Sequence, residues 1–403
     1  MGGARRWVAA VVALVAVALV APSAQAQLPL PLPPLPLPLP AVLPDGVPLC
    51  GVEQPGAGVT PAPDDGALRV ATLNVLHSET DEGDLSLGDR LPLLADAIAA
   101  SAADVVGAQE VTRNVGFDAA NEYPQKHGLV VQRLAAAVAA RTGQPWSWCW
   151  SQSNPHVPLT PDVDVGGGNP LDHLAAANGN LPDPGDFSEG LAILTRHPIT
   201  KARFRRLPPR SYEAPACLDG NPLCPLDAIF DSRQVLWARV GTSSGPLDMF
   251  TTHLAHHLTA LSDQTKLLQA QEALKITQEW AAADATPDLL VGDFNSAPDG
   301  AVHQAMAGGA FVDTYRAAGG VECGPGGGPG CSGGPPSGNE VYSPTAARPM
   351  SERIDYVWAR PPAGCSMHVP ASQQVGTAPA MLADGRFLWP SDHLGFVSEL
   401  ACG

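Results

Sequence analysis

Apolar runs that end on polar or ionisable residues recur from about residue 67 to 402. LRVATLNV (68–75) and DVVGAQEV (104–111) read as strands, and between them RLPLLADAIAA (90–100) places Leu91, Leu94, Ala95 and Ile98 on one helical face. GLAILTRHPI (190–199), RQVLWARV (233–240) and LDMFTTHL (247–254) extend the series of strands. LSDQTKLLQAQEALKITQEWAAA (261–283) reads as a long helix. DLLVGDFN and RIDYVWAR (353–360) are further strands before SDHLGFVSEL (391–400). Strands interleaved with helices, without a clear linker, predict one α/β domain. Two stretches break the pattern: 151–188, rich in Pro, Gly, Asn and Asp, and the Gly/Pro-rich 319–338.

The polar stops carry candidate chemistry. Asn74, Glu110, His253, Asp293, Asn295, Asp355, Asp392 and His393 are read as standing at the carboxyl ends of these runs. Singly, each has a plain structural explanation, a turn for Asn74 or a core histidine for His253. A carboxylate closing an apolar strand, as Glu110 does, needs a partner, and eight such positions together predict convergence on one mouth. In LLVGDFNSAPD (289–299) a strand would place Asp293 and Asn295 on one face and Phe294 in the core. Gly292 would let the backbone bend, and the chain would turn only from Ser296 to Asp299.

The amino-terminal stretch alters the domain picture. Arg5 and Arg6, the apolar run from Trp7 to Val20, and Ala24-Gln25-Ala26 form the pattern of a cleaved export signal over 1–26. Residues 27–49 alternate Leu and Pro, which predicts an extended spacer and a possible cell-wall tether, and the folded domain is expected over 50–403. No later run is long and apolar enough for a membrane span, so a soluble secreted protein is expected, and it is expected to act as a monomer. Eight cysteines, all after the signal, favour disulfides. Close spacing predicts Cys217–Cys224 and Cys323–Cys331, while Cys50, Cys149, Cys365 and Cys402 can pair in three ways.

The formal charge is −17, and loss of Arg5 and Arg6 makes the remainder more negative. That disfavours tight sequence-independent nucleic-acid binding, although Arg203, Arg205, Arg206 and Arg210 are a candidate basic patch. Trp146, Trp148 and Trp150, the only candidates for a membrane-inserting face, read more readily as core.

ATLNVLH, VVGAQEV, TTHL, VGDFNSAPD, RIDYV and SDHLG occur in the order and rough spacing of the endonuclease/exonuclease/phosphatase superfamily, which this chain resembles over about 68–400. The resemblance implies a deoxyribonuclease I-like four-layer α/β/β/α sandwich of two mixed sheets and metal-dependent phosphoester hydrolysis. Glu110, Asn74 and Asp392 form a hard oxygen set that suits Mg²⁺, with Mn²⁺ or Ca²⁺ as alternatives. His393 is the expected general base, with Asp355 holding its tautomer. The resemblance gives His253 a hydrogen bond to phosphate oxygens, with proton donation to the leaving group as an alternative. Asp293 and Asn295 are expected to orient the attacking water and the phosphate.

Other candidates are less defined. His253, His256 and His257 are a remote zinc candidate, Arg233 and Arg316 match positions where relatives carry arginines, and Asn154 and Asn169 are unranked substrate contacts. A tyrosine- and asparagine-bearing central motif of the abasic-site enzymes is missing, which disfavours abasic-site repair. The substrate expected is a phosphoester: a phospholipid, a nucleic acid or a small organic phosphate. A secreted nuclease is the alternative. A non-catalytic binding protein is disfavoured because the acid–base and metal set is complete.

Overall fold

The computed structural model describes residues 45–56, 65–77, 87–114, 128–155, 187–207, 233–243, 245–255, 262–281, 287–324, 327–334, 341–348 and 350–403. The export signal, the spacer up to residue 44, the Cys217–Cys224 pair, Arg210, Asn169, His256 and His257 lie outside those residues.

In chain order the strands begin with β1 (Leu49–Glu53), β2 (Leu68–Asn74), β3 (Val105–Asn114), β4 (Gly128–Leu129), β5 (Trp146–Pro155) and β6 (Phe187–Thr195). Next come β7 (Ile199–Arg206), β8 (Gln234–Thr242), β9 (Gly245–His253) and β10 (Asp288–Asp293). The last are β11 (Val312–Asp313), β12 (Tyr342–Ser343), β13 (Asp355–Arg360), β14 (Met367–Val375), β15 (Ala380–Met381), β16 (Phe387–Leu388) and β17 (Gly395–Cys402). One large sheet runs β1-β5-β6-β3-β2-β17-β14 with β4 on β3, and the other runs β11-β13-β10-β9-β8-β7. Strands β2 and β3 pair in parallel, as do β9 and β10. Parallel neighbours need a crossover, and the helices Leu87–Ser101 and Ser262–Trp280 lie in those two connections.

Burial sorts these elements into layers. Val70, Val105 and Ile193 of the first sheet join Leu236, Met249, Leu289 and Val291 of the second in an inter-sheet core. On the outer side of the first sheet, Leu73, Ala108 and Leu194 cluster with Leu94 and Ile98 and with Leu134 and Val138 of the helix Val130–Thr142. Outside the second sheet, Phe250, Leu290 and Trp358 cluster with Ala270, Leu274 and Ile276 and with Met306 of the helix Ala301–Gly308. The fold is therefore the four-layer α/β/β/α sandwich. Along β10, Leu289 and Val291 face one core and Leu290 the other, so the run 289–291 is apolar on both faces. Trp146, Trp148 and Trp150 all belong to the outer core of the first sheet.

Residues 45–49, read as the end of the spacer, pair onto the sheets. Gly46 bridges Phe204, and β1 lies antiparallel to β5 with Cys50 bonded to Cys149. The Cys323–Cys331 bond is present, and Cys365 pairs with Cys402. The candidate basic patch is not open. Asp45 accepts from Arg203 at 3.3 Å and Arg205 at 2.6 Å, and Glu279 accepts from Arg205 at 2.6 Å. Arg206 is buried and donates to the Ser153 carbonyl.

Candidate active site

The central parallel strands of the two sheets end together. Strand β2 stops at Asn74, β9 at His253 and β10 at Asp293. Asp355, by contrast, opens β13, and Asp392 and His393 precede β17. They reach the same end because β13 is antiparallel to β10 and β17 to β2. This corrects the reading that all eight residues stand at carboxyl ends. A polar stop marks a strand end without telling which end it is.

Asp293 is central. Its register partners are His253 on β9 and Asp355 on β13. Its Oδ2 accepts from Asn74 Nδ2 at 3.2 Å and lies 3.5 Å from His253 Nε2 and 3.8 Å from His393 Nε2. Its Oδ1 accepts the Asn295 backbone N–H at 2.8 Å, and Asn295 has the left-handed φ of 46°. That is a turn closed by an aspartate side chain. Strand alternation therefore ends at Asp293, and the turn brings Asn295 to the site. The amide Nδ2 of Asn295 lies 3.1 Å from His253 Nε2 and donates to the Leu254 carbonyl at 3.0 Å. Phe294 is buried edge-on to Tyr356 and Trp358, as expected. At Gly292 (φ 152°) a Cβ would stand 1.9 Å from the Thr252 carbonyl oxygen, so only glycine permits this approach of β9 to β10.

Glu110 arrives through a different irregularity. It lies where the β3–β6 register shifts between Ala108 and Val111, with φ of 58°. Bulges of this kind re-aim side chains, and positive φ in a non-glycine residue stores strain where the surroundings impose it. Glu110 Oε1 accepts from Asn74 Nδ2 at 2.8 Å. Its Oε2 accepts the His77 backbone N–H at 3.1 Å and lies 2.9 Å from His77 Nδ1. The Asn74 Oδ1 takes the Leu76 N–H at 3.0 Å, which turns the Asn74 amide nitrogen toward the carboxylates. On the other flank, His393 Nδ1 lies 2.9 Å from Asp355 Oδ2. Ser391 Oγ donates to the Asn74 carbonyl at 2.6 Å and accepts the His393 N–H at 3.2 Å.

Three participants escaped the sequence reading. His77 lies in the same ATLNVLH motif as Asn74. Glu189, on β6, lies 3.8 Å from His253 Nδ1. Arg90 is fully buried, and its guanidinium donates to the carbonyls of Val75 (2.7 Å), Leu76 (3.1 Å), His77 (3.5 Å) and Pro390 (3.0 Å). It thus ties the segment after Asn74 to the segment before Asp392. The readable signal was a charge on the apolar stripe of a helix, between Leu87 and Leu94. Arg316, by contrast, is held by Asp299 at 2.6 and 2.8 Å and by Glu322, away from the central aspartate's partners. Arg233 is buried.

Charge in the site is unbalanced. Burial and the Asp355 charge push the Asp293 carboxyl up to about 7. Burial and the Glu110 charge raise Asp392. Burial opposes protonation of His393, yet the charges of Asp355, Asp392 and Asp293 raise it well above the usual imidazole range. Burial also opposes protonation of His77, but its contact with Glu110 raises it to about 9. Glu110 is held well below the usual carboxylate range, burial being outweighed by His77.

Glu110, Asp293, Asp355 and Asp392 thus bring four carboxylates to one site, and Asp355 Oδ1 is buried without a hydrogen-bond partner among the described residues. That donor set fits a hard divalent cation. Among the described residues, Asp293, Asp355 and His393 each offer a ligand atom within 4.8 Å of the others. That group adjoins the expected set of Glu110, Asn74 and Asp392.

Residues 71–393 match the model of the Endonuclease/Exonuclease/phosphatase family. An endonuclease/exonuclease/phosphatase from Beutenbergia cavernae is similar in structure, with 22% identity, TM-score 0.51, and coverage of 84% of this chain and 72% of that one. A family protein from Bacteroides thetaiotaomicron gives 16% identity, TM-score 0.53, and coverage of 83% and 94%. A mannosyl-6-phosphatase from the same species gives 17% identity, TM-score 0.52, and coverage of 83% and 99%. At these identities the structural likeness shows the fold. No curated protein matches the sequence.

Proposed function

From this chain's membership of the endonuclease/exonuclease/phosphatase family, we propose that it is an exported hydrolase that cleaves a phosphoester with a divalent cation. One observation carries the reading: the Asp293 carboxylate stands between two imidazoles, 3.5 Å from His253 and 3.8 Å from His393. A substrate phosphate on that row meets both a proton acceptor and hydrogen-bond donors.

Of the expected set Glu110, Asn74 and Asp392, the two carboxylates would hold the cation, with Mg²⁺ first and Mn²⁺ or Ca²⁺ as alternatives; Asn74, whose Oδ1 takes the Leu76 N–H while its Nδ2 donates to Glu110 and Asp293, would orient the carboxylates. When bound, the cation supplies positive charge to the phosphoryl oxygens and the leaving group. His393 takes the proton of the attacking water through Nε2, because Asp355 engages Nδ1; this requires the neutral imidazole, which a bound cation would favour by offsetting the carboxylate charges that raise its pKa. His253 and the Asn295 amide bind phosphate oxygens, with protonation of the leaving group as a second role for His253. Asp293 orients the water. A second assignment follows from the Asp293 carboxyl, which at about 7 suits a base itself. His393→Ala then keeps more than about a tenth of parental turnover while Asp293→Asn does not. If His393 is the base, His393→Ala loses about a hundredfold or more.

The charge pattern favours a phospholipid or another small phosphodiester over nucleic acid. The chain is strongly acidic, Arg203 and Arg205 are engaged by Asp45 and Glu279, and Glu189 adds an acid beside His253. The export signal and disulfides fit an oxidising compartment, the Leu/Pro spacer serves as a tether, and the protein acts as a monomer. Among the described residues no helix is long and apolar enough to cross a membrane.

A substrate panel with Mg²⁺ tests this: sphingomyelin, a chromogenic phosphodiester, a sugar phosphate, DNA and RNA. Turnover of a small phosphodiester should vanish with chelator and return with Mg²⁺. Activity untouched by chelation overturns the metal assignment, and DNA or RNA as the preferred substrate establishes the nuclease alternative.

A further inference from the structure

We infer that Ser332, next to the Cys323–Cys331 disulfide, is a positioning residue for the Asp355–His393 pair. This rests on the reading of that pair as catalytic.

Ser332 is fully buried between the two partners. Its Oγ accepts the backbone N–H groups of Ile354 and Asp355, each at 3.1 Å, while its carbonyl accepts the Leu394 N–H at 2.7 Å. One residue is therefore fastened to the residue that carries the carboxylate and to the residue that follows the imidazole. The next position leaves no room for a side chain beside His393. A Cβ on Gly333 would stand 2.5 Å from Ile354 Cδ1 and 3.3 Å from His393 Cε1.

The described residues on either side of the disulfide are anchored to the residues just before Asp355 and to Gln374. Ser332 N and Gly333 N donate to the Glu352 carbonyl at 2.7 and 3.0 Å. Glu322, next to Cys323, accepts from Arg353 at 2.8 and 2.7 Å, two residues before Asp355. The Cys331 carbonyl accepts from Gln374 Nε2 at 2.5 Å. A glycine- and proline-rich stretch has no helix or strand to hold a serine in place. The covalent closure of Cys323 to Cys331 and these anchors hold it instead. A small misplacement of a general base lowers turnover without weakening substrate binding.

The test is a mutant cycle on the Mg²⁺-loaded protein with a chromogenic phosphodiester. Ser332→Ala should lower kcat by about 10- to 100-fold with KM within about twofold of parent. Cys323→Ser/Cys331→Ser should lower kcat in the same direction. In a His393→Ala background Ser332→Ala should cost less than about twofold, because the geometry it maintains no longer matters. A kcat within about twofold of parent in both loop variants overturns the inference, and so does an equal loss in both backgrounds. Thermal melting of each variant guards against misfolding. If Ser332→Ala does not fold, Gly333→Ala decides, and parental kcat there overturns the inference. Failure of the underlying reading shows separately, as His393→Ala keeping more than about a tenth of parental turnover.

Discussion

Arg90 shows what a single residue contributes below the level of any motif. Its guanidinium holds four backbone carbonyls that belong to the two segments carrying Asn74 and Asp392. Burial lowers its pKa to about 10, while the charges of Asp392 and Glu110 oppose that fall, so it stays charged at neutral pH. Arg90→Met should destabilise the fold by more than about 3 kcal/mol, because several buried acceptors lose their donor together. Chemical denaturation measures this, and a loss below about 1 kcal/mol would show that the carbonyls find other partners. Asp293 and Asn295 make the complementary point. Their identities were legible in the GDFN stretch, but the route of Asn295 to the site was not. That route depends on a side-chain-to-backbone bond at 2.8 Å that no periodicity encodes.

At the scale of elements, apolar runs located most strands and helices, because burial on one or two faces is written in local sequence. Their polarity at the site was not legible for β13 and β17, since direction depends on which neighbour each strand meets. In 319–324 and 327–334 the cysteine spacing gave the Cys323–Cys331 bond, but the place of the residues around it was not legible. That place comes from Glu322 with Arg353 and Ser332 with Asp355, contacts that leave no local period. Arg353 also serves a pH-sensitive pair. Burial would raise Asp313, but hydrogen bonds from His303 and Arg353 hold its carboxyl below the usual range. A depressed folded pKa contributes stability that is present above the unfolded value of about 4 and is lost as pH falls through the folded one. The parent should therefore exceed Asp313→Asn by about 3 kcal/mol at pH 7, and denaturation at successively lower pH should show that gap closing. A gap unchanged below about pH 3 would exclude Asp313 as its source.

Across the whole molecule, the segment Asp45–Glu53 joins the edges of both sheets. Gly46 bridges β7 and β1 lines β5, with Cys50–Cys149 closing a separation of 99 residues. Removing that bond as Cys50→Ser/Cys149→Ser should cost about 2–4 kcal/mol, since a long loop in the unfolded chain regains its freedom. Turnover at low temperature should stay at the parental level, because Cys149 pairs with Ile193, five positions along β5 from Asn154, the register partner of Glu189. A melting temperature equal to parent would show that hydrogen bonding alone secures the edge. By itself, the sequence determined the α/β class, the order of the elements, the acidic character and the identities of the eight polar residues, because each is a property of composition or of a short run. Only the tertiary structure decided that Asp355 and His393 meet Asp293 from antiparallel strands, that Asn295 arrives through a turn, and that His77, Arg90, Glu189 and Ser332 belong with them. Those outcomes depend on contacts such as Asn74 to Asp293, 219 residues apart, and Arg90 to Pro390, 300 apart. Contacts at that distance are set by the packing of two sheets and leave no trace in any one segment.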